Sequence, residues 1–341
     1  MSQAQLKIID DDINKILNSK FLKELNQKSI LITGGSGLIG TYLLRTLVLL
    51  KKSGLNIKIS TIIKSKKEKI FDLICEKKVK IIKSDLSKDF SKKIKFYDII
   101  IHAAGYAQPK KFNAEPEKTL ILNAFSTLKL LKRVRLNGKF LFISTSELYS
   151  GNKKINNEKN IGNINTDHPR SSYVHSKILG ETICNFFKKK KIRTYCARVS
   201  LAYGPGNKKN DKRVLYEFIN QILEKREISI KSGFKNIRTY CYILDTIEIL
   251  FKILLMGKHQ IYNVGGKSQL SILDLAHKIK KIFNDKNIKI IKNNNKNKDK
   301  APVFVKTNIS LIKKEFNKNK FININEGLIK TIQWQKMLQK I

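Results

Sequence analysis

The chain has 341 residues, which suggests about two domains, or one large domain with a smaller lobe. Its hydrophobic content of 41% is enough for a packed core and excludes wholesale disorder. The formal net charge is +42, but the lysines are scattered along the whole sequence, so they indicate solvated surface and no nucleic-acid partner is expected.

Residues 1–28 form an extension before the main fold. Apolar residues recur there on one side of a predicted helix or pair of helices: Ile8, Ile9, Ile13, Ile16, Leu17, Phe21 and Leu22. The pattern predicts amphipathic packing helices rather than a targeting segment. The N-terminus lacks the basic and apolar regions of a signal peptide, and no apolar stretch approaches the roughly 20 residues of a membrane span. We therefore expect a cytoplasmic protein with no membrane partner.

Strands and helices alternate from residue 29 to residue 200. The predicted strands are 29–33, 57–63, 79–83, 97–102, 139–144 and 194–199, and the predicted helices include 38–51, 120–133 and 173–190. The strands are almost continuously apolar, which is typical of a parallel sheet covered by helices on both faces. The sequence therefore predicts an α/β fold with a doubly wound parallel sheet.

A glycine-rich turn lies between the first strand and the first helix of this region. Gly34 permits the tight turn, Gly37 lets a pyrophosphate approach the backbone, and Gly40 lets the helix pack closely. The helix begins at Leu38 and Ile39, and its N-terminus offers free N–H groups to phosphates. The context of strand, turn and helix predicts that 29–200 is a Rossmann-type NAD(P)-binding domain.

After residue 200 the alternation loosens. Helices are predicted at 215–223 and 272–283, and the Lys/Asn-rich stretch 292–300 predicts an exposed loop. We expect 201–341 to be mainly a smaller C-terminal α/β substrate lobe, with part of 238–265 returning to the Rossmann domain. The four cysteines form no Cys-x-x-Cys pair and no Cys/His cluster with zinc spacing, so reduced thiols and no metal are expected.

The G-x-x-G-x-x-G spacing of the turn resembles the short-chain dehydrogenase/reductase family. By that resemblance, Asp85 after the third strand would lie near the adenine amino group of the cofactor. Ala103 and Ala104 after the fourth strand would let the cofactor lie against the backbone. The second strand ends at Lys64, without the acid that usually binds the ribose hydroxyls. NAD is expected, and NADP stays open because this lysine could meet a 2′-phosphate.

Tyr173 and Lys177 lie four residues apart at the start of a predicted helix, and hence on one face. Their spacing matches the Tyr-x-x-x-Lys of the family. An ammonium group and the oxidised nicotinamide ring would lower the pKa of the phenol, which is about 10 in water. Tyr173 could then remove a hydroxyl proton while hydride leaves the same carbon. The resemblance assigns Thr145 to the reacting hydroxyl and places Ser146 and Glu147 beside the sugar.

The extended branch of the family resembles the chain over about residues 29–335. The segment 198–206 resembles its R-x-x-x-x-Y-G-P motif, and 210–219 resembles a segment of UDP-glucuronate decarboxylases. The resemblance implies that Arg213 and Arg238 hold the diphosphate of a nucleotide-sugar, with UDP the expected nucleotide. It also implies a homodimer.

The triplet Thr-Ser-Glu at 145–147 favours a UDP-glucuronate decarboxylase that acts through a transient 4-keto sugar. A 4-epimerase or a 4,6-dehydratase is the alternative, and a non-catalytic NAD(P)-binding regulatory protein is a third. Three departures from the decarboxylase pattern are Gly206 in place of Arg, Leu201 in place of Asn, and Ser150 after Tyr149.

Overall fold

The computed structural model describes residues 3–64, 69–293 and 301–340. Its strands are β1 Ser29–Thr33, β2 Lys58–Ile63, β3 Val79–Lys83, β4 Tyr97–His102, β5 Val134–Thr145, β6 Arg193–Val199, β7 Leu201–Tyr203, β8 Glu227–Ile230, β9 Ile237–Tyr242, β10 Ile261–Val264, β11 Ser268–Ser271, β12 Lys289–Lys292 and β13 Phe304–Val305. Its α-helices are α1 Gln3–Leu17, α2 Leu38–Lys52, α3 Lys69–Cys75, α4 Pro109–Ala114, α5 Pro116–Leu120, α6 Ser126–Leu131, α7 Ser171–Lys188, α8 Val214–Lys225, α9 Ile243–Met256, α10 Ile272–Phe283, α11 Ser310–Phe316 and α12 Ile324–Gln339.

The central sheet has seven strands in the order β10-β6-β5-β4-β1-β2-β3, and every adjacent pair is parallel. Strands follow one another outward from β1 through β2 to β3, and on the other side from β4 through β5 to β6. The direction in which successive strands are added therefore reverses between β1 and β4. Ligands of doubly wound sheets bind at such a point, at the carboxyl ends of the strands. The predicted Rossmann-type fold is confirmed.

The C-terminal part of the chain builds two smaller sheets. In one, β9 pairs antiparallel with β11 and parallel with β7 and β13. In the other, β8 pairs parallel with β12. Within 238–265, β10 joins the central sheet whereas β9 lies in a smaller one. The division at residue 200 stays our proposal for the domain boundary.

The N-terminal helix α1 packs against α2, α9 and α12. Its residues Ile9, Ile13 and Ile16 are buried, as are Leu22 and Leu25 of the short 3₁₀ helix that follows. The apolar face of this segment thus packs against helices from both the N-terminal and the C-terminal parts of the chain. No helix in the described ranges is long and apolar enough to span a membrane.

Two predicted boundaries differ from the structure. The helix predicted at 120–133 is divided by a π-helical turn, Ile121–Phe125, and it ends at Leu131. The fifth strand begins at Val134 instead of residue 139, because Tyr97 pairs with Val134 before the ladder shifts register. The polar residues Arg135 and Asn137 concealed this start. Of the predicted loop 292–300, residues 294–300 lie outside the described chain.

Candidate active site

The glycine turn is packed tightly on two sides and open on the third. Gly34 has φ +72°, and a Cβ there would lie 2.6 Å from the carbonyl carbon of Ala103. A Cβ at Gly40 would lie 2.1 Å from the oxygen of Gly34, so α2 can approach the turn only with glycine at this position. A Cβ at Gly37 would meet one atom within 4 Å, the oxygen of Gly34 at 3.4 Å.

The N-terminus of α2 faces this open side. Gly37 is its N-cap residue and provides no side-chain hydrogen bond, so the first N–H groups of the helix, including those of Leu38 and Ile39, depend on a ligand or solvent. The partial positive charge of a helix N-terminus adds to their attraction for an anion. The cradle fits the pyrophosphate of a dinucleotide, which is the role predicted for these residues.

His102 fixes the backbone opposite the turn. Its Nε2 lies 2.9 Å from the oxygen of Leu122, which can only accept, so Nε2 carries the proton. Nδ1 then accepts from the hydroxyl of Thr33 at 2.7 Å, and that hydroxyl accepts from the N–H of Ala104 at 3.2 Å. Burial, together with the nearby charge of Lys177, lowers the pKa of His102 to about 3 and keeps the ring neutral. Ala103 and Ala104 are thereby held against the turn.

Asp85 and Lys64, which follow the third and second strands, form an ion pair. Nζ of Lys64 lies 2.8 Å from Oδ2 of Asp85. The other carboxylate oxygen accepts from the N–H of Ser87 at 2.9 Å and from its hydroxyl at 2.7 Å. Burial acts to raise the pKa of Asp85, but the hydrogen bonds from Lys64 and Ser87 outweigh it and lower the pKa to about 2.

Tyr173 and Lys177 lie on the first two turns of α7 and are both buried. Nζ of Lys177 donates to the oxygen of Ile143 at 2.7 Å and lies 4.7 Å from the ring centroid of Phe142. The ring of Tyr173 stacks on Phe112, with centroids 4.4 Å apart and an interplanar angle of 6°. These contacts fix both side chains at the carboxyl end of β5.

The protein's own groups raise the pKa of Tyr173, whereas the lowering expected from sequence included the charge of a bound oxidised nicotinamide. Burial is the largest cause, and the charge of Glu147 adds to it. A hydrogen bond with Thr145 and the charges of Arg170 and Arg213 act in the opposite direction but do not compensate. The sequence argument counted the charges of the neighbouring ammonium and of a bound nicotinamide, and it omitted the cost of burying a phenolate.

Burial also lowers the pKa of Lys177 to about 7, although the charge of Glu181 opposes this shift. Near neutral pH the lysine therefore changes its protonation state easily. The positive charge of an oxidised nicotinamide is what a bound NAD would supply to favour the phenolate of Tyr173.

The triplet 145–147 links the end of β5 to a 3₁₀ turn that begins at Ser146. The hydroxyl of Thr145 accepts from the N–H of Glu147 at 3.2 Å. Nη1 of Arg170 donates to both carboxylate oxygens of Glu147, and the Arg170 side chain is 5% exposed. Its guanidinium lies 5.6 Å from the ring centroid of Phe112. Sequence reasoning missed Arg170, and its position immediately before α7 was the available signal.

Asn123 is a second residue that the sequence analysis missed. It lies in the π-helical turn, and its Nδ2 donates to the hydroxyl of Ser176 at 3.0 Å. Its Oδ1 is buried and has no hydrogen-bond partner in the described part of the chain. A Cβ at Gly105 would lie 2.8 Å from this oxygen and 3.6 Å from Nζ of Lys177. The glycine therefore leaves the amide oxygen and the ammonium facing one small space.

Arg213 is partly buried, with its side chain 22% exposed, and its charge acts on Tyr173. It forms a two-pronged ion pair with Asp211, with Nη2 2.6 Å and Nε 3.1 Å from Oδ2, and its guanidinium lies 5.0 Å from the ring centroid of Tyr216. Asp211 also accepts from Nε2 of Gln108 at 3.4 Å. This carboxylate orients the arginine and compensates part of its charge.

Arg238 donates its hydrogen bonds to carbonyl oxygens within the described part of the chain. It donates to the oxygens of Ile237, at 2.8 Å, and Pro302. Burial lowers the pKa of Arg238, and the charge of Glu147 raises it in part. Within the described residues no acid pairs with it directly, so Arg238 is the less compensated of the two arginines predicted to hold a diphosphate. Within the described ranges, no group of three or more His, Cys, Asp or Glu could hold a metal ion.

The comparisons with known proteins agree with this geometry. A model of the NAD dependent epimerase/dehydratase family matches residues 30–265. UDP-glucuronic acid decarboxylase 1 of Xenopus tropicalis is 28% identical over 268 residues, which are 77% of this chain and 62% of that relative. The chain thus spans less than two thirds of the length of that relative. UDP-glucuronic acid decarboxylase 6 of Arabidopsis thaliana is 28% identical over 281 residues, 81% of this chain and 80% of the relative.

Solved structures share the fold. UDP-glucuronic acid 4-epimerase from Bacillus cereus, in complex with UDP-glucuronic acid and NAD, superposes with a TM-score of 0.73 at 24% identity. The match covers 91% of this chain and 99% of the epimerase. At this identity the likeness concerns the architecture of the two chains.

Proposed function

We propose a reaction for this chain from one premise: it belongs to the NAD dependent epimerase/dehydratase family. The proposed substrate is a UDP-linked sugar, and the proposed reaction passes through a transient 4-keto sugar without net oxidation. The favoured activity is decarboxylation of UDP-glucuronate. The relatives named UDP-glucuronic acid decarboxylase support this choice.

One observation of the structure carries the proposal. Three arginines lie close to one another around Tyr173 and Glu147. The charges of Arg170 and Arg213 lower the pKa of Tyr173, and the charge of Glu147 raises the pKa of Arg238. Arginine forms strong, directional hydrogen bonds with phosphates and carboxylates. A diphosphate and a sugar carboxylate together offer the anionic groups that this cluster suits.

The side chains have distinct roles in the proposed reaction. Tyr173 accepts the proton of the C4 hydroxyl, the hydroxyl of Thr145 hydrogen-bonds the reacting oxygen, and Lys177 supplies positive charge. NAD, when bound, accepts hydride from C4 and returns it in the last step. Ser146 and Glu147 position the sugar ring.

The loss of carbon dioxide follows from the structure of the intermediate. A 4-keto sugar with a carboxylate on C5 is a β-keto acid, so the electron pair of the breaking C–C bond moves towards the C4 carbonyl and gives an enolate. The enolate would take a proton from solvent at C5 to give a 4-keto pentose. Reduction of C4 by the stored hydride would then be completed by Tyr173, which returns its proton to the C4 oxygen. The products are carbon dioxide and a UDP-pentose, and no cosubstrate is consumed.

Epimerisation at C4 is the second candidate, and one position favours it. Decarboxylases resembling this chain usually have Arg where Gly206 lies. Here Gly206 has φ +100°, and a Cβ on it would lie 3.4 Å from Leu38 and 3.4 Å from Tyr42. An arginine does not fit this backbone without strain. A 4,6-dehydratase is less well supported, because Ser146 replaces the acid that would protonate a departing hydroxyl.

The deciding experiment is to incubate the protein with NAD and UDP-glucuronate, and to measure carbon dioxide and the product mass. Decarboxylation predicts release of carbon dioxide and a UDP-pentose. Unchanged mass with altered C4 stereochemistry, or turnover of a neutral nucleotide-hexose alone, would replace this proposal with an epimerase. Tyr173→Phe keeps the stack on Phe112 and removes the proton acceptor, so it should abolish either reaction while NAD binding persists.

A further inference from the structure

Lys64 and Asp85 follow neighbouring parallel strands at the carboxyl edge of the central sheet. In the ladder between β1 and β2, Thr33 pairs with Ile62, so Lys64 lies level with the glycine turn that follows Thr33. The strand after it, β3, runs in register beside β2 and leads into Asp85. The ion pair between Lys64 and Asp85 therefore lies beside the cofactor cradle, where the ribose of the adenosine binds in this fold.

The carboxylate of Asp85 is the fixed member of this pair. Ser87 donates to Oδ1 through both its N–H and its hydroxyl, which holds the carboxylate in a turn that does not depend on Lys64. Lys64 is 58% exposed in its side chain, and its ammonium reaches the free oxygen Oδ2. Asp85 thus sets where the ammonium of Lys64 lies.

We propose that Asp85 determines a preference for NAD over NADP by holding and neutralising Lys64. Dinucleotide-binding folds use an acid at the end of the second strand for the ribose hydroxyls of NAD and a cation for the 2′-phosphate of NADP. Lys64 is a cation at this position, but Asp85 cancels its charge. A 2′-phosphate carries about −1.5 to −2 charges and would be repelled by the same carboxylate, whereas a ribose hydroxyl would not.

Among the described residues, the charges next to this pair do not restore a binding site for a phosphate. Besides Asp85, Lys118 acts on Lys64, and Lys118 is itself paired with Glu115. The four groups form two ion pairs with zero net charge. Removing the charge of Asp85 alone would leave Lys64 free for a 2′-phosphate.

The test measures cofactor binding, so its result does not depend on the sugar reaction. Purified parent protein and Asp85→Asn are titrated with NADH and NADPH at one fixed ionic strength, and dissociation constants are read from nicotinamide fluorescence. The asparagine can still accept from Ser87, so the turn persists. We expect the ratio of NADPH to NADH affinity to rise roughly 5- to 10-fold, the size of one freed ion-pair contact near the surface. Thermal unfolding checks that the variant is folded.

Two further variants distinguish the effect of the Lys64–Asp85 pair from that of the general positive charge of the chain. Asp89 lies in an equivalent turn, with Ser91 donating to it and Lys129 paired with it. Asp89→Asn makes the same change in net charge and should leave the affinity ratio unchanged. Adding Lys64→Met to Asp85→Asn should return the ratio to that of the parent. An unchanged ratio in Asp85→Asn, or an increase that survives the loss of Lys64, would overturn the proposal.

Discussion

Arg170 holds Glu147 through both carboxylate oxygens, with Nη1 2.9 Å from Oε1 and 2.7 Å from Oε2. The two charges act on Tyr173 in opposite directions, because Glu147 raises its pKa and Arg170 lowers it. The pair therefore influences the pH at which the tyrosine can act as a base.

The first prediction concerns the pH profile of kcat/KM, which reports groups of the free enzyme. Tyr173 must lose its proton to act, so a lower pKa moves the limb that requires deprotonation to lower pH. Glu147→Gln removes the negative charge and should move this limb to lower pH. Arg170→Met removes the compensating cation and leaves Glu147 unpaired, so it should move the limb to higher pH. We expect both to reduce kcat/KM, because the two residues also shape the substrate site.

Arg135→Met is the matched control for this experiment. Arg135 also pairs with an acid, Asp98, at 2.9 Å, but its side chain is 52% exposed at the start of β5, away from Tyr173. The Arg135→Met variant should keep the deprotonation limb of the kcat/KM profile at the same pH as the parent. Shifts of the same sign in Glu147→Gln and Arg170→Met would show that their charges do not act on Tyr173 as the structure indicates.

The second prediction tests the glycine turn by cofactor binding. Gly37 has φ −86°, which any residue can adopt, and a Cβ there has open space beyond 3.4 Å. Gly37→Leu should therefore fold, but its side chain should occupy the pyrophosphate position and weaken NADH binding by at least about tenfold, or 1.4 kcal/mol. Gly54→Leu is the converse control, because φ +101° strains it although no atom lies within 4 Å. It should lose stability and keep its affinity for NADH. Tight binding by Gly37→Leu would place the cofactor elsewhere.

The fold and the central chemistry could be predicted from the sequence because their signals are local. Apolar runs of four to six residues give the strands, and the spacing of Gly34, Gly37 and Gly40 gives the turn. The four-residue spacing of Tyr173 and Lys177 places both on one helix face. Each of these features depends on neighbours within one turn or one strand.

The remaining features depend on partners that are distant in sequence. Arg170 is recognised by its pairing with Glu147, 23 residues earlier. Asn123 is recognised because its Oδ1, in a π-helical turn, has no hydrogen-bond partner among the described residues. The sequence shows a cation, Lys64, directly after the second strand. Its pairing with Asp85 could not be predicted, because it depends on the register of two strands. The burial that raises the pKa of Tyr173 cannot be read from the spacing of two residues.

The third prediction uses the buried ammonium of Lys177. Burial lowers its pKa to about 7 in the folded protein, against about 10.4 in an unfolded chain. Between these values the unfolded lysine holds a proton that the folded one has lost, so this group makes the free energy of unfolding increase with pH. The Lys177→Met variant lacks this contribution to the pH dependence of the free energy of unfolding. From about pH 7 to about pH 9.5 the parent should therefore gain about 1–3 kcal/mol of stability relative to Lys177→Met.

Urea unfolding at the two pH values measures this difference. Lys188→Met, at the exposed C-terminal end of the same helix, is the control and should follow the parent at both. A constant difference between parent and Lys177→Met would mean that the lysine keeps an ordinary pKa.

The last prediction concerns Asp12 of α1, which the sequence presents as part of a polar Asp-Asp-Asp run but the structure buries completely. Its carboxylate accepts from the hydroxyls of Tyr42 at 3.2 Å and Tyr242 at 2.5 Å, and it pairs with the ammonium of Lys330. One acid thus joins α1 to the dinucleotide helix α2, to the end of β9, and to α12. Removing it leaves a partly buried ammonium and two buried hydroxyls without their acceptor, so Asp12→Ala should lower the free energy of unfolding by about 3–5 kcal/mol.

Asp11 provides the matched control, because it is the adjacent residue of the same run and is exposed. Asp11→Ala makes the same chemical change and should stay within about 0.5 kcal/mol of the parent in urea unfolding. Adding Lys330→Met to Asp12→Ala removes the unpaired ammonium and should recover part of the loss, since much of the cost of breaking a buried pair lies in the charge left behind. Equal effects of Asp11→Ala and Asp12→Ala would show that the buried carboxylate contributes no more to stability than the exposed one. A large loss confined to Asp12, with recovery in the double variant, would show that the N-terminal helix joins the two ends of the chain through this one buried carboxylate.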